Sequence, residues 1–188
     1  WENLDRVDQQ GYIDILAKGD AGSLSMWPEK QRELAETIQR GEITCAVKDL
    51  REGFAEYQDN SVDAIYLGQM VEHLNPLYEL PQFLAECLRM LKPGAPIRVT
   101  TPDLAILMGA YMDGDMKRFA PEQPEWYAHA PSTAQLSYIL FGACGPDCTY
   151  DNYEGHFAAY TTAWFAQVVE KAGFTAVTFN GQKSDVFA

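Results

Sequence analysis

No apolar run in this sequence approaches the roughly 18 residues that a membrane-spanning helix needs, and its first residues do not read as a secretory signal. It has no internal repeat and no low-complexity tract. Basic residues are few and scattered: 14 Lys and Arg stand against 27 Asp and Glu, a formal net charge of −13. A surface of that sign repels phosphate backbones and anionic headgroups, so neither nucleic acid nor a membrane is expected as partner. Cysteine is sparse too, with Cys45, Cys87, Cys144 and Cys148 only. No second Cys/His pair accompanies Cys144 and Cys148 at metal spacing, so reduced thiols, a cytoplasmic setting and no metal are expected.

What is present suits a folded enzyme-sized domain. Of 188 residues, 47% are hydrophobic and 12% aromatic, enough for one core and against disorder. A single domain over 1–188 is the expectation. The chain opens on Trp1, and we expect its natural N-terminus to lie upstream.

The pattern alternates strands and helices. Strands are expected at Trp1 to Asp5, Tyr12 to Ala17 and Ile43 to Val47, with a helix from Pro28 to Arg40 stopped by Gly41. Residues 59–103 are the most informative stretch. An apolar strand, Val62 to Leu67, ends at Gly68-Gln69. A helix is expected from Glu72-His73 to Leu91, and Lys92-Pro93-Gly94 turns the chain into a strand from Ile97 to Thr101. This is a strand–helix–strand crossover, and ligands of open α/β sheets bind at the carboxyl ends of such strands. Further on come a helix Leu104 to Met112, a helix Ser132 to Leu140, and one from Thr161 or Thr162 to Lys171. A strand Phe174 to Phe179 leads to an Asn180-Gly181 hairpin turn and a returning strand from Asp185. Residues 113–160 carry two irregular excursions on the expected substrate side.

These pieces resemble a class I S-adenosylmethionine-dependent methyltransferase of the small methyltransferase-domain type. The resemblance rests on Ser61 to Tyr66, on Val71-Glu72-His73-Leu74 (the common "EHL" start), on Leu88 to Gly94 ("RxLKPGG"), on Thr101-Pro102-Asp103 and on Ala172-Gly173-Phe174. Together they cover about 49–179. The implied fold is α/β: a Rossmann-like sheet, mostly parallel with an antiparallel C-terminal strand and helices on both faces. The implied cofactor is S-adenosylmethionine, and the implied reaction is methyl transfer to an O or N atom of a small molecule such as a sugar or secondary metabolite. The alternative is a non-catalytic methyltransferase-like binding or assembly domain, because the family's glycine-rich loop is missing in good form. Either Trp1 to Asp5 is the family's second strand and the loop precedes it, or Tyr12 to Ala17 is the first strand and Gly19-Asp20-Ala21-Gly22 a degenerate loop.

The resemblance carries roles onto particular residues. Asp5, Asp49, Leu50, Gly68 and Gln69 are the cofactor-binding candidates. Asp49 could accept from the adenine amine or the ribose hydroxyls. Leu50 could offer its N–H to adenine, and Gln69 could bond the amino acid end. Asp5 is a ribose candidate; its plainer reading is a turn acid. His73 is the candidate for acid–base work, since imidazole titrates in the useful range; structural hydrogen bonding is the alternative. Asp103, Tyr153 and His156 are the substrate-side candidates, with a helix N-cap as the stronger reading of Asp103. Glu72 reads as an acid complementing a helix start, and Tyr66 as core.

Overall fold

A computed structural model describes residues 2–5, 10, 13, 28–47, 52–119, 129–141, 155–181 and 184–187. The chain divides into two units, Trp1–Gly53 and Phe54–Ala188.

The first unit holds strand β1 (Glu2–Asp5), helix α1 (Pro28–Gln39) and strand β2 (Thr44–Val47). β1 and β2 pair in parallel, Glu2 opposite Thr44 and Asp5 opposite Val47. That adjacency is what reading Trp1 to Asp5 as the family's second strand requires. Of the expected strand Tyr12 to Ala17 only Ile13 is described, and its backbone is helical; the Gly19 to Gly22 turn lies outside the described residues. Gly41, at φ 74°, ends α1 with its N–H on Ile38 O.

The second unit is a four-stranded sheet in the order β3-β4-β6-β5, where β3 is Ile65–Gly68, β4 Ile97–Thr100, β5 Thr178–Gly181 and β6 Ser184–Phe187. β3 and β4 are parallel; β6 is antiparallel to both β4 and β5. The parallel pair with an antiparallel C-terminal hairpin is the expected class.

Helix α2 (Glu79–Met90) makes the β3-to-β4 crossover. Its Leu80, Phe83, Leu84, Cys87 and Met90 are buried at helical spacing, alongside buried Leu67, Ile97 and Val99 of the strands. Burial holds the Cys87 thiol protonated, its pKa pushed up to about 12. Arg89 of the "RxLKPGG" stretch is structural. It donates to Tyr57 O, Phe54 O, Asp59 and Glu86, tying the loop before β3 to α2.

Four expectations need correction. The helix expected from Glu72 is broken in two: a 3-10 turn, Val71–His73, then α2 from Glu79. Pro76 disfavours a helical residue before it, and Asn75 is used in the turn, its Oδ1 accepting from Leu77 N and its N–H donating to Glu79 Oε2. The strand expected at Phe174 begins only at Thr178, because Ala176 sits at φ 57°, outside the β region. Asn180 and Gly181 belong to β5, opposite Asp185 and Ser184, so the hairpin turn comes after them. The first excursion is not wholly irregular: α4 (Met116–Phe119) lies within it.

α4 packs with α3 (Leu104–Met112) and α5 (Ser132–Phe141) around Leu107, Ala110 and Met116. α6 (Thr162–Lys171) follows, capped by Thr161 Oγ1, which accepts from Trp164 N. Among the described residues no helix is long and apolar enough to cross a membrane.

Candidate active site

β3 ends at a strained corner. Gln69 adopts φ 51°, a left-handed conformation that non-glycine residues adopt at some cost, and it is held there by its N–H on Thr100 O at 2.8 Å. The 3-10 turn follows at once. It sends the Glu72 side chain inward, 1% exposed, and leaves His73 half-buried.

A distant segment closes on that turn. Phe157 N and Ala158 N both donate to Glu72 O, at 2.7 and 3.2 Å, and His156 N donates to Phe141 O. Tyr160 then bridges Asp103 in parallel fashion, its carbonyl accepting from Leu104 N at 2.7 Å. These backbone bonds bring His156 edge-on to His73, ring centroids 4.7 Å apart. One ligand-capable atom from each of Glu72, His73 and His156 lies within 4.8 Å of the others.

The electrostatics follow from burial. The Glu72 carboxyl is pushed up to about 7, first by desolvation; its own backbone and nearby Thr101 favour the charged form only partly. Although Thr101 stands beside it, Glu72 Oε2, Thr101 Oγ1 and Tyr160 OH are all buried with no hydrogen-bond partner among the described residues. Desolvation, then the neighbouring His73, lowers the His156 imidazole, with the Ile139 backbone opposing. Burial and the Glu72 charge raise the Tyr160 phenol.

Asp103 is different in kind. Its Oδ1 accepts from Ala105 N and Ile106 N at 2.7 and 3.3 Å, capping α3. Its Oδ2 accepts from Thr162 N at 3.2 Å and from Thr162 Oγ1. With both oxygens engaged inside the protein, the side chain is a cap joining two helix starts, and the substrate-side expectation finds no support in its contacts.

Gly68 and Tyr66 also differ from expectation. Tyr66 is not core: it is 59% exposed, with Arg98 over its ring and its OH 3.2 Å from Thr100 Oγ1. The ring lies in front of Gly68, where an added Cβ would meet Tyr66 OH at 3.0 Å. The backbone room expected at Gly68 is therefore taken up by an exposed, rotatable side chain.

Asp5 ends β1 opposite Val47, in the first unit. Asp49 and Leu50, two and three residues beyond Val47, lie outside the described residues, as do Tyr153, Cys144 and Cys148. The structure thus joins two of the sequence candidates, His73 and His156, with Thr101 and Tyr160 close by, and adds Glu72, which the sequence presents only as an acid at a helix start. The only sequence signal for Glu72 was an acid set among apolar neighbours, Met70, Val71 and Leu74. No metal was expected, yet the three side chains form a metal-competent donor set.

Comparison with known proteins agrees with the fold. The family model described as a methyltransferase domain matches residues 22–99. No curated protein matches the chain. Among solved structures, one described as "PigF with SAH" is 15% identical with a TM-score of 0.50, over 99% of this chain and 48% of its own. The S-adenosylmethionine-dependent methyltransferase SibL, in its apo form, is 14% identical with a TM-score of 0.51, over 99% of this chain and 49% of its own. The chain therefore spans about half the length of these two structures.

Proposed function

We propose that this chain, whose fold is that of S-adenosylmethionine-dependent methyltransferases and whose residues 22–99 match a methyltransferase-domain model, transfers a methyl group from S-adenosylmethionine to an O or N atom of a small molecule, a sugar or secondary metabolite, in the cytoplasm. The observation that carries this reading is the corner after β3. There a strained Gln69, a buried carboxyl at Glu72 and the facing imidazoles of His73 and His156 gather at the carboxyl end of a parallel strand pair. Ligands of such sheets gather at that edge. PigF, solved with SAH, supports the choice of cofactor.

In this reading Asp5, Asp49, Leu50, Gly68 and Gln69 serve the donor. Gln69 bonds its amino acid end, and Asp5 and Asp49 take ribose or adenine hydrogen bonds. Methyl transfer is an in-line displacement, so most of the rate comes from holding the acceptor against the sulfonium methyl and keeping water away. His73 handles the acceptor's proton. His156 and Tyr153 shape the acceptor side. Asp103 holds α3 and α6 in place.

One observation favours a second reading. The Tyr66 ring stands where the cofactor would approach Gly68, as it would in a methyltransferase-like domain that binds or assembles without catalysing. Titration calorimetry of the full natural protein with S-adenosylmethionine separates the two. Methyl transfer requires saturable one-to-one binding with micromolar affinity; absence of binding heat would favour the non-catalytic reading.

A further inference from the structure

Glu72, His73 and His156 are brought together by an unusual expenditure of backbone hydrogen bonds. Phe157 N and Ala158 N converge on one carbonyl, Glu72 O, and His156 N is tied to Phe141 O. The result is two imidazoles and one carboxylate with ligand atoms inside a 4.8 Å span. Glu72 Oε2 has no donor, although the residue is almost wholly buried. An uncompensated buried carboxylate is costly, and a cation held jointly with the two imidazoles within that span would compensate it.

We propose that Glu72, His73 and His156 form a binding site for one divalent transition-metal cation of the zinc or ferrous type. Calcium and magnesium prefer all-oxygen sites, whereas two imidazoles with a carboxylate suit zinc or ferrous iron. A tetrahedral shell at ordinary zinc distances would hold neighbouring donor atoms about 3.4 Å apart. Side-chain rotations of about an ångström would close the observed cluster to that spacing. Three protein ligands leave a coordination position for water or for the acceptor.

The catalytic consequence, though not the binding itself, rests on the methyl-transfer reading. An acceptor hydroxyl on the cation would lose its proton to solvent water at a lower pH. Its oxygen would then form the new O–CH3 bond as the S–CH3 bond breaks, releasing the neutral thioether. His73 would then act as a ligand of the cation, and solvent water would take the acceptor's proton.

The test strips the full natural protein with chelator and titrates it with Co2+, followed by visible absorption, and with Zn2+, followed by calorimetry. One equivalent should bind, with a tetrahedral Co2+ spectrum, and Zn2+ should raise the thermal midpoint. Each of His73→Ala, His156→Ala and Glu72→Gln should weaken Zn2+ binding by about tenfold or more. Far-ultraviolet circular dichroism identifies which variants remain folded, and Lys117→Ala, at an exposed position outside the cluster, should bind as the wild type does. Absence of one-to-one binding, or wild-type affinity in the folded ligand variants, overturns the proposal. The methyl-transfer reading fails separately: Zn2+ bound without S-adenosylmethionine binding would sink that reading and keep the site, and the reverse would sink only the site.

Discussion

Two buried carboxylates within the second unit are treated in opposite ways. Asp103, 4% exposed, has both oxygens engaged by four donors. Glu72, 1% exposed, keeps an oxygen with none. The first stabilises the fold by joining the starts of α3 and α6. The second destabilises it unless it stays protonated or gains a partner, and the groups around it, Thr101 Oγ1 and Tyr160 OH, are unpartnered as well. Among the described residues, the buried side-chain polar atoms without a partner therefore gather around Glu72, as they do at functional sites.

The contrast can be broken by mutation. Asp103→Ala removes a cap and the bond to Thr162 together, and it should lower stability by about 3–4 kcal/mol in denaturant unfolding. A loss below about 1 kcal/mol would mean that the cap carries little.

Glu72→Gln should act in the other direction, with a pH signature. The Glu72 carboxyl titrates at about 7 in the folded protein against an ordinary value of 4.5. Between those values the unfolded chain is ionised while the folded one holds its proton. Raising pH through this window therefore favours unfolding, by ~3 kcal/mol in all, and the loss levels off above about 7. Measured in chelator, the wild type should show that slope and Glu72→Gln should lack it. Equal slopes would show that the carboxyl is better solvated than its burial indicates.

Two threonines sharpen the comparison on a smaller scale. Thr162→Val removes one of the two donors to Asp103 Oδ2 and should cost ~1–2 kcal/mol, since a buried charged acceptor is left with the Thr162 N–H alone. Thr101→Val removes a buried hydroxyl that has no partner, and it should change stability by no more than ~0.5 kcal/mol or improve it slightly. Equal costs at the two positions would erase the distinction between satisfied and unsatisfied sites.

The crossover was legible in sequence because its signals are local. Apolar strands, a helix-stopping Lys92-Pro93-Gly94 and the Asp103 cap each act within a few residues. The break of the helix after His73 is also local, written in Asn75-Pro76, but the polar "EHL" start is an equally local signal for a helix. The site itself was only half legible. His73 and His156 could each be suspected alone, but their approach depends on Phe157 and Ala158 bonding to Glu72 O, a contact across more than eighty residues that no periodicity reveals. Glu72 resembled an exposed helix-start acid because its burial depends on the strand ends around it. Tyr66 resembled core because strand alternation does not tell which face is covered.

The most direct measurement is a crystal structure of the full natural protein with S-adenosylhomocysteine. The expected result is a thioether sulfur facing His73 and His156, with the Tyr66 ring swung off Gly68. A ligand seated away from the β3 corner, or a Tyr66 ring still covering Gly68 with the ligand bound, would contradict the assignment of this corner as the active site.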